Sequence, residues 1–243
     1  MKRKPTLSLI FPIYNESQRL QVSFTRALKF LSRQRYRSEI ILVDDGSSPP
    51  VVHRWASYPV KLVALSRNIG KGGAIAAGVA HASGRYIVFS DIDLSVSLDH
   101  LSSMLGLLRT HPVVIGSRRL PASRIVTHQP RLRELTGRVF TFLSNVICGI
   151  HVADATCGFK GYQTNAAKRL FSRMTIQRWV FDVEILYLAR KFGYDISEMP
   201  VIWADCKGTK VRGSDIVGSF IDLLRIRWND RKGVCRLSVH LIM

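Results

Sequence analysis

The sequence is poor in acidic residues. Of its 243 residues, 17 are Asp or Glu and 36 are Lys or Arg, which gives a formal net charge of +19. Folding alone does not require such an excess, so the imbalance predicts a polyanionic partner: nucleic acid, an anionic membrane surface or a diphosphate substrate. Charge alone does not choose among these three.

Cysteine is also scarce, and no two of the four cysteines form a Cys-x-x-Cys pair. This spacing excludes a zinc knuckle and a disulfide scaffold, and it fits a protein of the reducing cytosol. The seven histidines likewise lack His-x-x-His or His-Glu-x-x-His spacing. Gly-x-Ser-x-Gly and the Walker A motif are absent too, which argues against a serine hydrolase and a P-loop enzyme.

Long hydrophobic runs are missing. The longest uncharged stretch, residues 139–153, is shorter than the roughly 20 residues that cross a bilayer, and it predicts a buried or membrane-facing helix. The positive N-terminus is followed by an apolar stretch that soon meets a proline, so we expect no signal peptide. Repeats and low-complexity linkers are absent as well.

The hydrophobic pattern predicts alternating strands and helices. A chain of this length with 47% apolar residues can bury one good core. Alternation of this kind indicates a doubly wound, mostly parallel α/β sheet with helices on both faces, whose ligands lie beyond the carboxyl ends of the strands. The predicted strands are 7–11, 39–43, 60–65, 86–90, 113–115 and 198–204, and the predicted helices are 16–32, 72–82, 181–192 and 216–228.

Asp91 and Asp93 follow the predicted strand 86–90 directly. Alternate residues of a strand share a face, so both carboxylates can meet one Mg²⁺ or Mn²⁺ that also holds a substrate's phosphates. The pair alone is weak evidence, because acidic residues at strand ends are common. A second acidic strand end, VDDGS, and a glycine-rich segment, NIGKGG, lie upstream. Together the three segments predict a nucleotide site.

Each of these segments also has a structural interpretation. Asp44 or Asp45 can accept a hydrogen bond from a base, and Gly46 lets the backbone approach a ligand, but an Asp-Gly turn is equally ordinary. Lys71 and Gly72 at a helix start suit a diphosphate. Asn15 is expected either at the ligand or as the N-cap of the first helix.

In order, the motifs PIYNE, VDDGS, RNIGKGGA, DIDLS, IGSRR, DATCGFKGY and RWVFDVEIL resemble the family 2 glycosyltransferases of the GT-A fold. The resemblance covers residues 7–233. The CGFK and WxFDxEIL motifs make it closest to the dolichyl-phosphate glucosyltransferases and polyprenyl-phosphate sugar transferases. It implies a single GT-A domain over residues 1–233, with a nucleotide-binding part at 5–116, an acceptor part at 117–233 and a tail at 234–243.

The resemblance also implies roles for individual residues. Asp91 would contact the nucleotide, Asp93 would bind the metal that bridges the diphosphate, and Ser95 stands where related mannosyl enzymes carry a glutamine ligand. Pro12, Tyr14, Glu16 and Asp44 would frame the base and ribose, with Lys71 near the phosphates. The acceptor phosphate would meet Arg118 and one of Arg131, Arg133 and Arg138, and the sugar and acceptor side would be lined by Lys160, Trp179, Asp182, Lys210 and Arg212.

The implied reaction is an inverting transfer of a hexose, glucose above all, from a nucleotide sugar such as UDP-glucose to a polyprenyl or dolichyl phosphate. A phosphate acceptor is already an anion and needs positioning by arginine rather than deprotonation. The alternative is a glycan or cell-envelope hydroxyl as acceptor, with Asp182 or Asp154 as general base. Nucleic-acid binding is a remote alternative, since no RRM, KH or zinc-finger signature is present, and we expect no nucleic-acid partner.

We expect the protein to be cytoplasmic and peripheral on the inner or endoplasmic reticulum membrane face. Basic residues and the predicted amphipathic helix 216–228 would hold it on an anionic membrane surface. A separate membrane protein is expected as a further anchor, because many relatives carry transmembrane helices and this sequence shows none.

Overall fold

A computed structural model of the chain describes residues 4–52, 58–206 and 213–234, the last range with its side chains from residue 218 onward. A seven-stranded sheet lies at its centre, in the order β3-β2-β1-β4-β7-β5-β8. All neighbouring strands pair in parallel except β7, which runs antiparallel to β4 and β5. The strands are β1 (Leu7–Ile13), β2 (Ser38–Asp44), β3 (Val60–Ala64), β4 (Tyr86–Ser90), β5 (Val113–Ser117), β7 (Phe159–Gln163) and β8 (Ile196–Pro200).

Helices cover both faces of this sheet and divide the core into two layers. One layer packs apolar side chains of α1 and α3 against the sheet, and the other packs those of α2, α4, α5, α6 and α7. A separate parallel pair joins β6 (Arg124–Thr127) to β9 (Ile202–Ala204). The helices are α1 (Ser17–Ser32), α2 (Lys71–His81), α3 (Leu101–Leu107), α4 (Arg131–Cys148), α5 (Thr164–Phe171), α6 (Phe181–Lys191) and α7 (Gly213–Arg231), and a 3₁₀ turn at Leu98–His100 precedes α3.

The predicted doubly wound α/β sheet is confirmed, with two kinds of difference. The strand predicted at 198–204 is two strands in different sheets, because the chain leaves β8 after Pro200 and pairs with β6 from Ile202. The sequence pattern also missed β6, β7, α3 and α5, which are each eight residues or shorter. The helices α3 and α5 have too few turns to show a helical period, and β6 (RIVT) and β7 (FKGYQ) lack the uninterrupted apolar run that marks β4 (YIVFS).

Pro12 lies inside β1 rather than after it. Its position is permitted because β1 pairs with β4 only from Leu7 to Ile10, while its pairing with β2 continues to Ile13. Beyond Ile10, β4 no longer pairs with β1, so no hydrogen bond from β1 is required on that edge. A proline, which lacks an N–H group, is therefore accommodated there.

Two loops meet at the carboxyl end of β2. The Asp45 carboxylate accepts hydrogen bonds from the Asn68 side chain and from the backbone N–H groups of Ile69 and Gly70, at 2.8, 2.8 and 3.0 Å. Gly46 has φ +72°, and a Cβ atom on it would lie 2.6 Å from the carbonyl carbon of Arg67. The glycine is therefore required by both its backbone conformation and this close approach.

Asn15 joins the same loops and is not the N-cap of α1. Its N–H donates to Ser47 Oγ and its side-chain oxygen accepts from the Ser48 N–H, both at 2.9 Å. The N-cap position belongs to Glu16, which makes no side-chain capping hydrogen bond. Of the two alternatives for Asn15, the N-cap is therefore wrong, and Asn15 fastens the end of β1 to the loop after β2.

Over the ranges that the structure describes, no helix combines the length and the apolar character needed to span a bilayer.

Replacing Gly46 by Ala is expected to lower the free energy of unfolding by about 3 kcal/mol, because left-handed strain adds to a backbone clash. Gly193→Ala is the matched control, since Gly193 has φ +73° but nothing within 4 Å of an added Cβ. It should cost only about 1 kcal/mol. Urea unfolding of both variants measures the difference, and equal losses would refute the contact between the two loops.

Candidate functional site

A cleft of about 1560 Å³ opens beyond the carboxyl ends of β1, β4 and β5. Chain segments that follow these three strands contribute to its lining, as expected for a doubly wound sheet. The cleft brings together many of the residues predicted from the sequence, namely Pro12, Tyr14, Glu16, Asp45, Lys71, Asp91, Asp93, Arg118, Arg133, Arg138, Trp179 and Asp182.

Asp91 and Lys71 form an ion pair in this cleft, with Lys71 Nζ 2.6 Å from Asp91 Oδ1. Gly158 of the CGFK segment lies directly against the same carboxylate, since a Cβ atom there would be 2.0 Å from Asp91 Oδ2. Burial acts to lower the pKa of Lys71, but the charges of Asp91 and Asp182 raise it above its ordinary value. Lys71 is therefore held as a cation among carboxylates.

Asp93 is fastened by its neighbour Ser95. Its Oδ1 accepts hydrogen bonds from the Ser95 N–H at 3.0 Å and the Ser95 hydroxyl at 2.6 Å, and its Oδ2 makes none among the described residues. Burial and the charge of Asp91 raise the pKa of Asp93. A cation shared by the two carboxylates would offset the effect of the Asp91 charge on Asp93, so Asp91 and Asp93 fit a hard divalent metal.

The rest of a metal shell would have to come from a ligand or water. Within residues 4–52, 58–206 and 213–234, no group of three or more His, Cys, Asp or Glu side chains is placed to hold a metal ion. Two carboxylates leave coordination positions open, which is the arrangement of metals that bind through substrate phosphates.

Asp182 lines the cleft and contacts a buried lysine. Lys160 Nζ is 2.8 Å from Asp182 Oδ1 and donates to the carbonyl oxygen of Cys157 at 2.6 Å. The contact with Asp182 is an ion pair by distance but lies outside hydrogen-bond geometry. Burial raises the pKa of Asp182, and the charges of Lys160 and Lys71 offset this only in part.

The position of Lys160 corrects one expectation. Its side chain is 0% exposed and does not line the cleft. An acceptor in the cleft therefore cannot contact Lys160 in this conformation. The Lys160 ammonium group offsets the charge of the Asp182 carboxylate from the buried side.

Arg118 is oriented by a fully buried carboxylate. Its Nε and Nη2 contact Asp154 Oδ2 and Oδ1 at 2.6 and 2.8 Å, and Nη2 also donates to Thr156 Oγ1 at 2.7 Å. The guanidinium carbon lies 5.5 Å from the ring centre of Trp203. These contacts leave Nη1 without a hydrogen-bond partner among the described residues, so Arg118 has one donor group for a ligand.

Burial and hydrogen bonding act in opposite directions on this pair. Burial favours the neutral forms, but the hydrogen bonds with Arg118 hold the pKa of Asp154 well below its usual range, and those with Asp154 raise the pKa of Arg118. The pair therefore remains ionised, which keeps the arginine fixed in one orientation.

Five more arginines line the same cleft as Arg118: Arg19, Arg119, Arg133, Arg138 and Arg178. Burial lowers the pKa of Arg119, and the charges of Arg118 and Arg138 lower it further. The Nη1 group of Arg119 donates a hydrogen bond to the Ala153 carbonyl oxygen at 2.9 Å. Arg131 is exposed and does not line the cleft. Of the three α4 arginines left open by the sequence, the structure thus brings Arg133 and Arg138 to the cleft and not Arg131.

Three residues of the predicted nucleotide site lie outside the cleft lining. Asp44 is buried and accepts from the N–H groups of Ser47 and Val51, both at 2.9 Å. Gly46 packs on the loop at Arg67, as described above. Gly72 packs on α6, since a Cβ atom there would be 2.5 Å from Phe181 Cβ. Gly72 therefore serves helix packing instead of phosphate contact, and the nucleotide contact of Asp44 stays a prediction.

The other predicted residues are placed as follows. Asp45 lines the cleft, but its carboxylate is occupied by the loop before α2. Trp179 lines the cleft, and Trp203 does so with Arg118 stacked on it. Lys210 and Arg212 lie outside the described residues. The assigned roles of the site residues stay predictions.

Several lining residues were not predicted, namely Arg19, Asn68, Arg119, Arg178, Phe140 and Phe220. Arg19 could have been found from its i, i+3 spacing to Glu16, with which it pairs at 3.2 Å. Asn68 lies within the glycine-rich segment and Arg178 precedes Trp179 directly, so both were within recognised motifs. Phe140 and Phe220 had no such signal, because only the packing of α4 beside α7 brings their rings to 6.0 Å from each other.

Solved structures with the same fold include mannosyl-3-phosphoglycerate synthase from Rubrobacter xylanophilus, with a TM-score of 0.69, 17% identity, and coverage of 98% of this chain and 77% of that one. Another is glucosyl-3-phosphoglycerate synthase from Mycobacterium tuberculosis in complex with UDP, with a TM-score of 0.64, 19% identity, and coverage of 91% and 80%. These are GT-A glycosyltransferases, and the likeness identifies the fold.

Curated relatives are more similar in sequence. A dolichyl-phosphate beta-glucosyltransferase of Trichomonas vaginalis is 34% identical over 241 residues, which cover 90% of this chain and 72% of that protein. The human dolichyl-phosphate beta-glucosyltransferase is 33% identical over 224 residues, covering 84% and 69%. The sequence model of the family named Glycosyl transferase family 2 matches residues 8–171 of this chain. With this match and these relatives, the chain belongs to glycosyl transferase family 2.

Proposed function

We propose that this glycosyltransferase moves a glucosyl unit from UDP-glucose to the phosphate of a dolichyl or other polyprenyl phosphate, with inversion at the anomeric carbon. The observation that carries the proposal is the composition of one cleft, in which the carboxylates Asp91 and Asp93 occur together with six arginines. The carboxylates suit a metal-bound diphosphate, and the arginines suit a second anion. The names of the curated relatives support the same sugar and acceptor.

The state of the buried carboxylates favours a phosphate acceptor over a hydroxyl acceptor. A hydroxyl must lose its proton to a general base, and the sequence offered Asp154 and Asp182 for this role. Asp154 is fully buried, and its lowered pKa makes it a weak base. Asp182 has a raised pKa, which suits a base, but its carboxylate is buried and lies 2.8 Å from the ammonium group of Lys160, which holds it in place. A phosphate needs no such base, since it is an anion at neutral pH.

Asp91 and Asp93 would hold Mg²⁺ or Mn²⁺ together with the donor diphosphate. Glucosyl-3-phosphoglycerate synthase of the same fold has been crystallised with Mn²⁺ and UDP, which supports a divalent ion of this kind. When bound, the ion would neutralise the negative charge that develops on the departing nucleotide diphosphate.

The protein's own residues position the two substrates. Lys71 stands at the first residue of α2 and can turn from Asp91 toward the diphosphate, where the partial positive charge of the helix start also acts. Arg118, held by Asp154, presents Nη1 to the acceptor phosphate, and Arg133 and Arg138 line the same cleft. An acceptor oxygen aligned with the anomeric carbon displaces the nucleotide in one step, so an α-linked donor yields a β-linked product.

The acceptor implies a location at a membrane. We propose a peripheral protein on the cytosolic face of the endoplasmic reticulum or an inner membrane, held by its net charge of +19 on anionic lipid. The membrane-protein partner and the division into parts at 5–116 and 117–233 stay predictions from the sequence.

Product extraction tests the proposed reaction. With UDP-[¹⁴C]glucose, Mn²⁺ and a polyprenyl phosphate, we expect the label to pass into organic solvent, and GDP sugars should replace UDP-glucose poorly. Calorimetry of donor binding with and without Mn²⁺ should show the metal requirement. Label that stays in the aqueous phase with every polyprenyl phosphate, but joins a glycan hydroxyl, would establish the alternative acceptor.

Asp93→Asn is expected to lower kcat/KM by on the order of a thousandfold, because a neutral amide is a poorer ligand for a divalent metal than a carboxylate. The Ser95 hydrogen bonds can persist to the amide oxygen, so thermal stability should stay near that of the parent. The control is Asp99→Asn, an exposed carboxylate outside the cleft. If Asp93→Asn kept most of its activity and its Mn²⁺ requirement, the metal role would be excluded.

The α4 arginines allow a comparison within one helix. Arg133→Gln and Arg138→Gln should each raise the KM for a water-soluble, short-chain polyprenyl phosphate about tenfold, since a charge-assisted hydrogen bond is lost. Arg131→Gln, on the same helix but outside the cleft, should leave this KM unchanged. Steady-state kinetics at saturating UDP-glucose measures all three variants. An equal effect of the three would point to long-range charge instead of direct contact.

A further inference from the structure

Strand β9 is attached to the segment of the chain that carries Asp93. The Ala204 N–H donates a hydrogen bond to the carbonyl oxygen of Ser95 at 2.9 Å, and the backbone of Trp203 forms an antiparallel bridge with Val96. These contacts begin two residues after Asp93, the residue expected to hold the metal. The place of β9 relative to Asp93 is therefore set by backbone hydrogen bonds as well as by side-chain packing.

Further contacts hold the two ends and the other edge of β9. Nε2 of His100 accepts a hydrogen bond from the Ile202 N–H at 2.8 Å. The thiol of Cys206, two residues after the strand, donates to the carbonyl oxygen of Asp93 at 3.5 Å. On its other edge, β9 pairs in parallel with β6. A three-residue strand that is bonded along both edges and at both ends has little freedom to shift, so its side chains keep their positions.

The side chain of Trp203 extends from this strand to Arg118. Trp203 is 7% exposed, and the guanidinium carbon of Arg118 lies over its ring at 5.5 Å from the ring centre. The hydrogen bonds from Asp154 and Thr156 to Arg118 involve atoms at the edge of the guanidinium group. An aromatic face attracts a planar cation as a whole. Trp203 therefore gives Arg118 a support of a kind that Asp154 and Thr156 do not supply.

The order of the strands makes this contact important. Asp93 follows β4 and Arg118 follows β5, and β7 lies between these two strands. The pairing with β7 ends at Ser90 of β4 and at Ile115 of β5, so Asp93 and Arg118 each lie three residues beyond the last paired position. Trp203 connects the two regions, because its backbone is bonded to the segment after Asp93 and its ring contacts Arg118.

We propose that Trp203 is a positioning residue, which holds Arg118 in a fixed place relative to Asp93 and so aligns the acceptor phosphate with the donor. This inference rests on the proposed function for the roles of Asp93 and Arg118. A single displacement requires the attacking oxygen to be in line with the anomeric carbon, and a small misplacement slows it strongly. Loss of the Trp203 ring should therefore lower kcat more than it changes either KM, since the charges that bind both substrates remain.

The kinetic test compares Trp203→Leu, which removes the aromatic ring, with Trp203→Phe, which keeps one. Tyr86→Leu is the matched control, because Tyr86 is 6% exposed and has Arg85 over its ring at 5.3 Å, but lies at the start of β4 and outside the cleft. With UDP-glucose, Mn²⁺ and a water-soluble, short-chain polyprenyl phosphate, Trp203→Leu should lower kcat about tenfold and change each KM less than about threefold. Trp203→Phe and Tyr86→Leu should keep kcat within about threefold of the parent value.

Two kinetic results would contradict the proposal. If Trp203→Leu raised the KM for UDP-glucose or for the acceptor and left kcat unchanged, Trp203 would contact that substrate directly instead of positioning Arg118. If Tyr86→Leu lowered kcat as much as Trp203→Leu does, a general loss of packing would account for both variants.

Hydrogen exchange at Arg118, followed by NMR, tests the positioning without any substrate. The Nε–H group of Arg118 donates to Asp154, and its proton should exchange with water at least about tenfold faster in Trp203→Leu than in the parent, but at nearly the parent rate in Trp203→Phe. If the parent turns over no polyprenyl phosphate while exchange follows this pattern, the proposed function fails and the positioning of Arg118 by Trp203 stands. Equal exchange in the parent and Trp203→Leu would overturn the positioning role whatever the activity.

Discussion

The arrangement of charge around Asp91 is the constraint on which the site depends. Three carboxylates, those of Asp91, Asp93 and Asp182, line one cleft, and burial raises the pKa of two of them. Lys71 at 2.6 Å from Asp91 and Lys160 at 2.8 Å from Asp182 balance this charge. The two lysines offset two of the three carboxylate charges, so a further cation at Asp91 and Asp93 would be accommodated, and it would bring a diphosphate with it.

Glycines make this clustering possible by allowing backbone segments to approach each other. Gly158 leaves room for the Asp91 carboxylate, and Gly72 lets α2 lie against Phe181 of α6. The start of α2, and with it Lys71, is consequently held beside Asp182, two residues into the same helix α6. The glycine-rich segment that suggested phosphate binding from the sequence thus has two separate roles: Gly72 acts through packing, and Lys71 reaches the cleft.

On the acceptor side of the cleft, buried side chains fix the orientation of the side chains that face the ligand. Asp154 is fully buried and holds Arg118 by two hydrogen bonds, while Trp203 supports the flat face of the guanidinium. Arg133 and Arg138 come from α4, the helix whose outer side is apolar. One helix therefore contributes both to the site for an anion and to the surface beside it.

The sequence alone determined the doubly wound fold and most of the cleft, because hydrophobic periodicity and the order of parallel strands place residues such as Asp91, Asp93 and Arg118 at one edge of the sheet. It did not distinguish Lys160, which is buried, from Lys71, which faces the cleft, nor Arg131 from Arg133 and Arg138. Those differences, and the meeting of Phe140 with Phe220, were decided by the tertiary structure. Residue type and spacing indicate the chemistry that a side chain can perform. Its actual contacts depend on how segments that are distant in the chain pack together.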